Sequence, residues 1–331
     1  MSSESTAHTF RNRGIMSHLQ VVAGAGPVGW TVAEQLAAQG HRVRVLTRSG
    51  SGPEGPGIER LRVDATDPEA VASALVDEDG LPTDAVYMCV HGSAYRADVW
   101  ARELPVAERV VLDAAANLSE KTVVVFPESL YSYSEPDRVM TEDSPREADT
   151  GKRGVRRQLL AARAAHRAPT VSVVASDFFG PRALSAMAGE RMVPTVLAGR
   201  KVRVLGSADL PHSFTYVPDL AAAMIAAAGE PAVWNTVIHA PTGQAVTQRE
   251  IATAFARAAG LPAPAVGTIP SWLLRAGGVV NRDMKELAEM LYQFTAPFVM
   301  DSTRTEQVLD LSPTPLDEAA AATVAWWRAR G

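Results

Sequence analysis

Short apolar runs alternate with amphipathic segments along the first half of the chain. Six runs rich in valine and other apolar residues predict strands over residues 19–25, 42–47, 58–64, 84–90, 121–127 and 170–176. Several of these runs are continuously apolar, which is typical of strands that helices cover on both faces. Strands and helices in this order form βαβ units, so the pattern predicts an α/β fold: a Rossmann-type, doubly wound parallel sheet.

Polar residues mark where two of the helices begin. Asp67 can cap a helix that has Pro68 at its first position, where an amide proton is not needed. Thr247 and Glu250 have the spacing of a capping box, and the helix that follows should end at Gly260. The second of these helices lies well beyond the six predicted strands.

The composition changes after Pro181, where apolar runs become shorter and prolines more frequent. We therefore expect a smaller lobe to begin there and to be discontinuous along the chain. Residues 1–15 are polar and lack the apolar core of a signal peptide, so we expect them to be a disordered extension.

The segment GAGPVG, residues 24–29, joins the first predicted strand to the first helix. Gly24 permits a tight turn, Gly26 lets a pyrophosphate approach the backbone, and Gly29 lets helix and strand pack closely. The helix N-terminus adds amide protons and the positive end of its dipole. A purely structural glycine turn is the alternative, but the position between strand and helix favours a dinucleotide site.

The second predicted strand ends in Thr47-Arg48-Ser49, where a site that prefers NAD carries an acidic residue. The guanidinium of Arg48 can bind a 2′-phosphate in a forked geometry, which favours NADP(H) as the cofactor. The alternative is a solvated arginine. Asp64, at the end of the third predicted strand, can accept a hydrogen bond from the adenine amino group or serve as a turn residue.

The bulk composition excludes several other classes of function. The 32 Lys and Arg residues against 37 Asp and Glu give a net charge of -5, so no basic field exists to hold nucleic acid. Cys89 is the only cysteine and the seven histidines have no metal-ligand spacing, so we expect neither a disulfide nor a bound metal. The chain has no apolar run long enough to span a membrane. These features are those of a cytoplasmic protein.

Motifs along most of the chain resemble the NAD-dependent epimerase/dehydratase family, the extended short-chain dehydrogenases. The similar segments are the glycine turn, residues 42–49, 60–67, 171–182, 212–225, 234–252 and 300–319. The resemblance implies an NADP-binding Rossmann domain of residues 16–180, to which residues 208–242 partly return. It also implies a smaller α/β substrate lobe made of residues 181–207 and 243–331.

From the motifs and this resemblance we expect one set of residues to contact the cofactor. They are Gly24, Gly26, Pro27, Val28, Gly29, Thr47, Arg48, Ser49, Asp64, Ala65, Val90, His91, Gly92, Pro127, Lys152 and Phe178.

The family's reaction normally needs a serine or threonine at the end of strand five and a Tyr-x-x-x-Lys sequence on the next helix. Here the serine position holds Pro127 or Glu128, and residues 149–157 contain no tyrosine. The chain thus resembles an atypical branch without this triad. Ketone reductases of this kind occur in aromatic polyketide tailoring and antibiotic biosynthesis.

Four residues could replace the missing catalytic groups. Tyr131 can donate a hydrogen bond and a proton, Ser129 and Ser93 can donate to a carbonyl, and Lys152 can polarise an oxygen or hold the nicotinamide ribose. The alternatives are a packing tyrosine, loop serines and, for Lys152 and Arg156, a solvated helix face. Glu128 can act as an acid or base if it is buried, although a glutamate at a strand end is more often exposed.

In the later segments, His212 and Tyr216 can line a substrate pocket, and Asp219 is expected to cap a helix. Apolar and aromatic residues follow at helical spacing and are expected to form core, or the wall of a pocket for a flat substrate. They are Trp272, Met284, Met290, Tyr292 and Phe294.

We therefore predict an NADPH-dependent reductase of a ketone on a small or medium-sized substrate, with aromatic polyketides as one such class. The alternatives are a sugar-nucleotide epimerase or dehydratase, and a non-enzymatic regulator that senses NADP(H). The expected assembly is a monomer or a homodimer.

Overall fold

The computed structural model describes residues 19–270 and 282–330. Its main sheet has seven parallel strands in the order β10-β6-β5-β4-β1-β2-β3. The strands are β1 (Leu19–Ala23), β2 (Arg42–Thr47), β3 (Ile58–Arg62), β4 (Ala85–Met88), β5 (Val123–Ser129), β6 (Thr170–Ala175) and β10 (Thr236–His239). Each of the six predicted runs contains a strand, and the predicted α/β fold with a doubly wound parallel sheet is confirmed.

Helices and short 3₁₀ turns connect the strands. The helices are α1 (Pro27–Ala38), α2 (Pro68–Ala74), α3 (Ala97–Leu118), α4 (Gly151–Ala164), α5 (Val193–Leu197), α6 (Val217–Ala228), α7 (Gln248–Ala258), α8 (Arg282–Glu289), α9 (Tyr292–Thr295), α10 (Thr303–Leu309) and α11 (Leu316–Arg330). The 3₁₀ turns are Leu130–Ser132 and Pro231–Val233.

Both faces of the main sheet are buried under helices. Val22 packs on the face covered by α1 and α6, whereas its neighbour Val21 packs on the face covered by α2 and α3. Val125 and Val124 divide between the two faces in the same way. Because successive side chains of a strand point to opposite faces, two covered faces require the continuously apolar runs seen in the sequence.

The predicted helix starts are confirmed at two places and wrong at a third. The Asp67 side chain accepts hydrogen bonds from the amides of Glu69 and Ala70, each at 3.1 Å. Thr247 and Glu250 form a complete capping box at the start of α7. Asp219 does not cap α6, because its carboxylate instead accepts hydrogen bonds from the amide and the hydroxyl of Thr314.

Four short strands lie outside the main sheet, in two parallel pairs. β7 (Asp177–Phe179) pairs with β9 (Phe214–Tyr216), and β8 (Val202–Leu205) pairs with β11 (Val266–Ile269). β8 and α7 share an apolar cluster with α11. Tyr216 belongs to this cluster and is 9% exposed. The lobe boundary at residue 181 and the return of residues 208–242 stay predictions, although β10 does join the main sheet.

Four of the five residues expected to form core behave as predicted. Met290 and Phe294 are buried, and Met284 packs on the cluster that contains Phe294. Tyr292 is partly buried and packs on a second cluster, which contains Phe298. Trp272 and the predicted extension of residues 1–15 lie outside the described residues. None of the helices in the described part of the chain combines the length and apolar character needed to cross a membrane.

Candidate functional site

Two glycines of the turn between β1 and α1 cannot be replaced without a clash. Gly24 has a φ of +97°, and a Cβ at this position would lie 2.7 Å from the carbonyl oxygen of Cys89. A Cβ on Gly29 would lie 2.0 Å from the carbonyl oxygen of Gly24. Because these contacts involve backbone atoms, the turn and its close packing against β4 depend on glycine at both positions.

The middle glycine has a different surrounding. A Cβ on Gly26 would meet no atom within 4 Å, and no side chain caps the helix that begins after it. Pro27 has no amide proton, so Val28 and Gly29 offer the first amides of α1. Open space, unpaired amides and the positive end of a helix dipole are the features that accept a diphosphate. The turn therefore fits the pyrophosphate of a dinucleotide cofactor.

The end of β2 presents an arginine to solvent. Arg48 is exposed, and its guanidinium makes no ion pair with a carboxylate of residues 19–270 or 282–330. The hydroxyls beside it are bound within the loop: Thr47 donates to the Ser51 carbonyl at 2.8 Å, and the Ser49 and Ser51 hydroxyls lie 2.7 Å apart. Arg48 is thus available to a phosphate at the edge where the adenosine ribose would lie.

Asp64 takes the turn role that was one of its two predicted alternatives. Its carboxylate accepts hydrogen bonds from the amide and the hydroxyl of Thr66, at 3.0 and 2.8 Å, and these bonds lower its pKa. The nearby charge of Arg48 makes a smaller contribution in the same direction. A contact between Asp64 and adenine stays a prediction.

The other expected cofactor contacts lie along the same edge of the sheet. Val90, His91 and Gly92 follow β4, and Ala65 follows β3. Pro127 lies in β5, and Phe178 lies in β7, which begins two residues after β6 ends. The carboxyl ends of parallel strands meet at one edge, and this edge is where α/β folds bind their ligands.

Trp100, at the start of α3, organises the aromatic part of this edge. It is 1% exposed, and its indole donates a hydrogen bond to the Ala94 carbonyl at 3.0 Å. His91 and Tyr95 meet the indole edge-on, whereas Tyr131 lies parallel to it with ring centroids 6.3 Å apart. Gly92 is needed beside it, because a Cβ there would lie 2.6 Å from the indole.

Two phenols meet within this aromatic group. The hydroxyl oxygens of Tyr95 and Tyr131 lie 2.8 Å apart, so one hydroxyl donates a hydrogen bond to the other. Desolvation raises the pKa of Tyr95 and of Tyr131 well above the usual value of a phenol. Both side chains are therefore uncharged at neutral pH and can donate hydrogen bonds.

Lys152 does not lie on a solvated helix face, which was one of its predicted alternatives. Its ammonium group is 0% exposed and forms ion pairs with Glu286 at 2.5 Å and Glu289 at 2.8 Å, both from α8. Glu289 also accepts a hydrogen bond from the Lys152 amide at 2.9 Å. The ammonium lies 4.7 Å from the centre of the Tyr95 ring. Its charge is thus neutralised by two carboxylates beside the phenols.

Glu128 is buried, contrary to the more common case of an exposed glutamate at a strand end. It is 2% exposed and accepts a hydrogen bond from Arg163 at 2.8 Å, while Arg156 lies 3.5 Å from its other oxygen. Arg163 also binds Glu108 through two hydrogen bonds. The Glu128 carboxylate is therefore already paired with two arginines, and it fixes α4 against β5.

The two predicted serines are both bound to carboxylates. Ser93 donates from its amide and its hydroxyl to Glu103, at 2.8 and 2.7 Å. The Ser129 amide donates to Glu128 at 2.8 Å, and its hydroxyl lies 3.4 Å from the same oxygen. The catalytic roles of Ser93, Ser129, Lys152 and Tyr131 stay predictions.

Sequence reasoning missed three residues of this edge: Tyr95, Trp100 and Asp177. Asp177 begins β7 and lies 2.8 Å from His212, which is buried and faces this edge from the segment before β9. The position of Asp177, two residues beyond the end of β6, is the signal that would have identified it. Tyr95 and Trp100 follow β4 and could have been found by the same rule.

A sequence model of the NAD dependent epimerase/dehydratase family matches residues 20–237, more than half of the chain. The chain belongs to this family. None of the curated protein sequences compared with it matches significantly. The family resemblance that the motifs indicated is thus confirmed, and the departures described above are departures within the family.

Solved structures of low sequence identity share the fold over nearly the whole chain. The Bordetella bronchiseptica enzyme WbmH, in complex with NAD+, aligns with a TM-score of 0.73 at 20% identity, covering 94% of this chain and 98% of its own. The epimerase Mth375 from Methanothermobacter thermautotrophicus aligns with a TM-score of 0.74 at 18% identity, covering 95% of this chain and 93% of its own. UDP-N-acetylglucosamine 4-epimerase from Bacillus cereus aligns with a TM-score of 0.70 at 17% identity, covering 94% of this chain and 97% of its own. At these identities the likeness establishes the fold alone.

Proposed function

We propose that this family member binds NADP(H) along the carboxyl edge of its sheet and reduces a ketone on a small or medium-sized substrate. Bound NADPH would supply a hydride to the carbonyl carbon. The Tyr131 hydroxyl donates a hydrogen bond to the carbonyl oxygen and then its proton, and Tyr95 replaces that proton through the hydrogen bond between the two phenols. Tyr95, which is 43% exposed, then regains a proton from solvent. The ketone becomes an alcohol and the dinucleotide is oxidised.

The observation that carries this proposal is the uncharged pair of phenols. Oxidation of an alcohol needs a base, and family members with the usual tyrosine obtain one from a neighbouring lysine that lowers the pKa of the phenol. Here desolvation raises the pKa of Tyr131, and two glutamates neutralise Lys152 beside Tyr95. The phenols are therefore uncharged and offer no base for oxidation, but each can donate a hydrogen bond to a carbonyl oxygen, and an alkoxide formed by hydride transfer is basic enough to take the proton.

The preference for the phosphorylated dinucleotide rests on Arg48. Its exposed guanidinium has no ion-pair partner in the described part of the chain, and a carboxylate is absent from Thr47-Arg48-Ser49. An arginine at this position favours a 2′-phosphate, whereas an acidic residue would repel it. The bound NAD+ of WbmH belongs to that protein and does not assign the cofactor of this chain.

A sugar-nucleotide epimerase is the second candidate, and the comparisons favour it. The family description names epimerases and dehydratases, and one of the similar structures is a UDP-N-acetylglucosamine 4-epimerase. None of the relatives above is described as a ketone reductase, so an aromatic polyketide substrate rests only on the resemblance to an atypical branch. The reaction of this candidate requires the oxidation step for which the phenol pair is poorly suited.

A direct assay separates the two candidates. Purified protein is supplied with NADPH and a panel of aryl ketones and quinones, and separately with UDP-sugars and catalytic NADP+ or NAD+. A reductase oxidises NADPH in a one-to-one ratio with alcohol formed, and Tyr131→Phe lowers the rate. Interconversion of UDP-sugars without net change in the cofactor would support the epimerase instead. Binding of NADPH with turnover of neither panel would contradict both and favour a regulator.

A further inference from the structure

At one end of the main sheet, β2 and β3 have five arginines in them or directly after them. Three of these arginines form ion pairs with carboxylates. The pairs are Arg42 with Asp77 at 3.7 Å, Arg44 with Glu59 at 2.7 Å and Arg60 with Glu54 at 2.7 Å. The other two, Arg48 and Arg62, are exposed and form no ion pair with a carboxylate among the residues that the structure describes. The unpaired positive charge of these strands therefore lies at their carboxyl ends.

A tight turn after β2 places Arg48 next to the end of β3. Thr47 and Arg62 are paired neighbours in the sheet, and the Gly50 amide donates a hydrogen bond to the Thr47 carbonyl at 3.2 Å. This bond closes a four-residue turn in which Arg48 is the second residue. The Thr47 carbonyl also accepts a hydrogen bond from the Val63 amide at 3.0 Å, so the start of the turn is attached to the chain just after β3.

The side chain of Arg62 is fixed against this turn. Its Nε atom donates a hydrogen bond to the Arg48 carbonyl oxygen at 3.0 Å. A Cβ on Gly50, which has a φ of +72°, would lie 3.9 Å from the Arg62 Cβ, so the turn and the side chain are in contact. A guanidinium has five N–H donors, and the Nε bond uses one of them. The guanidinium is thus held in place while its forked end stays available to an anion.

Two neighbouring guanidinium groups match the charge of a phosphate monoester. Such a group carries a charge of about −1.5 to −2 at neutral pH and has three acceptor oxygens. One guanidinium binds two of these oxygens in a forked pair, so a second donor is needed for the remaining oxygen and charge. The acidic residue closest to Arg62 in the sequence, Asp64, is already bound by the amide and the hydroxyl of Thr66.

We propose that Arg62 is a second specificity-determining residue of the cofactor site, and that its guanidinium binds the 2′-phosphate of NADP(H) together with Arg48. The preference for the phosphorylated dinucleotide then comes from two adjacent strand ends and not from one. Because a guanidinium keeps its charge at any physiological pH, this contact does not depend on a titrating side chain. The inference rests on the proposed function for the identity of the cofactor, but its test needs neither a nicotinamide nor a ketone.

The competing explanation is that Arg62 only positions the turn, since its Nε atom binds the backbone of Arg48. A double-mutant cycle separates the two roles. If Arg62 acts only through Arg48, its removal changes nothing once Arg48 is already alanine. If Arg62 binds the phosphate itself, its removal weakens binding in both backgrounds.

The test is an isothermal titration of the full chain with adenosine 2′,5′-bisphosphate and with 5′-AMP. These ligands differ only in the 2′-phosphate, so the ratio of their Kd values measures the phosphate contact alone. Two charged contacts of about tenfold each predict a ratio of about 100 for the unmodified protein and about 10 for Arg48→Ala and for Arg62→Ala. In the double variant we expect a ratio of about 1. The Kd of 5′-AMP should be the same in all four proteins.

Arg60→Ala is the matched control. Arg60 lies two residues before Arg62 on β3, is exposed, and donates a hydrogen bond to the Gly52 carbonyl at 3.5 Å, but it is already paired with Glu54. Its removal changes the net charge by the same amount and should leave the ratio unchanged. An equal fall in the ratio for Arg60→Ala and Arg62→Ala would show an effect of net charge and overturn the inference.

Two further results would overturn the inference. One is an unchanged ratio in Arg62→Ala, and the other is the same ratio in Arg48→Ala with and without Arg62→Ala. Failure here and failure of the proposed function are distinguishable, because ketone reduction is measured separately. A protein that reduces ketones with NADPH but ignores the loss of Arg62 would contradict only this inference. A protein with the expected ratios that reduces no ketone would contradict only the proposed reaction.

Discussion

The hydroxyl oxygens of Tyr95 and Tyr131 lie 2.8 Å apart, although the two residues are 36 positions apart in the chain. Trp100 contacts both rings and holds them at the carboxyl edge of the sheet. The family's usual tyrosine and lysine lie on the helix that follows strand five, whereas this pair comes from the segments after β4 and β5. The proton donor of the proposed reaction has thus moved from a helix to two neighbouring strand ends.

Removing the Tyr131 hydroxyl should affect turnover and not cofactor binding. We expect Tyr131→Phe to lower kcat for ketone reduction about 100-fold or more, the usual size of a lost general acid. Tyr95→Phe should cost less, because Tyr131 keeps its own proton. If the hydroxyls act as one unit, the double variant will be no worse than Tyr131→Phe. Additive losses in this cycle would mean that the two phenols act independently.

The glycine turn offers a matched pair of substitutions. Gly26→Ala places its Cβ in open space, so we expect an unchanged Tm but binding of NADPH weakened by about tenfold or more, because the methyl group occupies the approach of the diphosphate. Gly29→Ala drives its Cβ into the Gly24 carbonyl and should lower the Tm as well. Calorimetry and thermal unfolding check both. Tight NADPH binding by folded Gly26→Ala protein would contradict this position for the cofactor.

Arg48 should set the choice between the two dinucleotides. In Arg48→Ala we expect the Kd for NADPH to rise by about tenfold or more, from loss of a charged hydrogen bond to phosphate, and the Kd for NADH to stay unchanged. Arg109→Ala, an exposed arginine of α3, is the control for a loss of net charge. Equal weakening of both dinucleotides by Arg48→Ala would show that the side chain does not contact a 2′-phosphate.

We expect Lys152 to contribute to the stability of the fold and not directly to the rate of ketone reduction. Lys152→Met leaves Glu286 and Glu289 together without a cation, and we expect the free energy of unfolding to fall by about 3 kcal/mol. Adding Glu286→Gln and Glu289→Gln removes the repulsion and should restore most of that loss. Denaturant unfolding measures both proteins. If the stable triple variant lacks ketone reduction, Lys152 is catalytic, as the sequence suggested, and the structural account fails.

His239 should make the fold sensitive to mild acid. It is buried between the Tyr133 hydroxyl at 2.6 Å and the Asp301 carbonyl at 2.7 Å, and desolvation lowers its pKa. Below about pH 6.5 the unfolded chain therefore takes up a proton that the folded chain does not. The free energy of unfolding then decreases as the pH is lowered, by at most about 1.4 kcal/mol per pH unit.

The variant His239→Gln isolates this contribution. The variant should be less stable than the unmodified protein by the largest amount at pH 7, and the difference should shrink towards pH 5. The reason is that only the unmodified protein is destabilised when a histidine at position 239 takes up a proton in the unfolded chain. Urea unfolding at several pH values measures the deficit. A constant deficit would mean that His239 titrates alike in the folded and unfolded chains.

Local sequence signals were sufficient for the sheet and for the glycine turn. Continuous apolar runs predicted the strands because both faces of the sheet are covered, and Asp67 and Thr247 cap helices through contacts within three residues. The glycine spacing predicted the turn because its constraints are local: φ at Gly24 and a close approach between Gly24 and Gly29. Such features depend on neighbours in the chain, so the sequence alone contains them.

The rest of the site depends on hydrogen-bond and ion-pair partners that lie far away in the sequence, which no local pattern predicts. The sequence around Lys152 predicts a residue on a helix surface, but in the structure two carboxylates of α8, more than 130 positions away, bind it. The position of Glu128 at a strand end predicts exposure, but Arg163 binds its carboxylate and the side chain is buried. Asp219 has the composition of a helix cap but binds Thr314, 95 positions later. In each case a tertiary ion pair or hydrogen bond overrides the local preference of the residue.

We propose that the turn at Gly24 and the guanidinium of Arg48 together hold NADPH. The most direct measurement is an isothermal titration of the unmodified protein with NADPH and with NADH under the same conditions. We predict saturable binding of one NADPH per chain with a Kd at least about tenfold lower than that for NADH, which corresponds to about 1.4 kcal/mol. Equal affinities would contradict the assignment of the 2′-phosphate to Arg48, and binding of neither dinucleotide would contradict the proposed function as a whole.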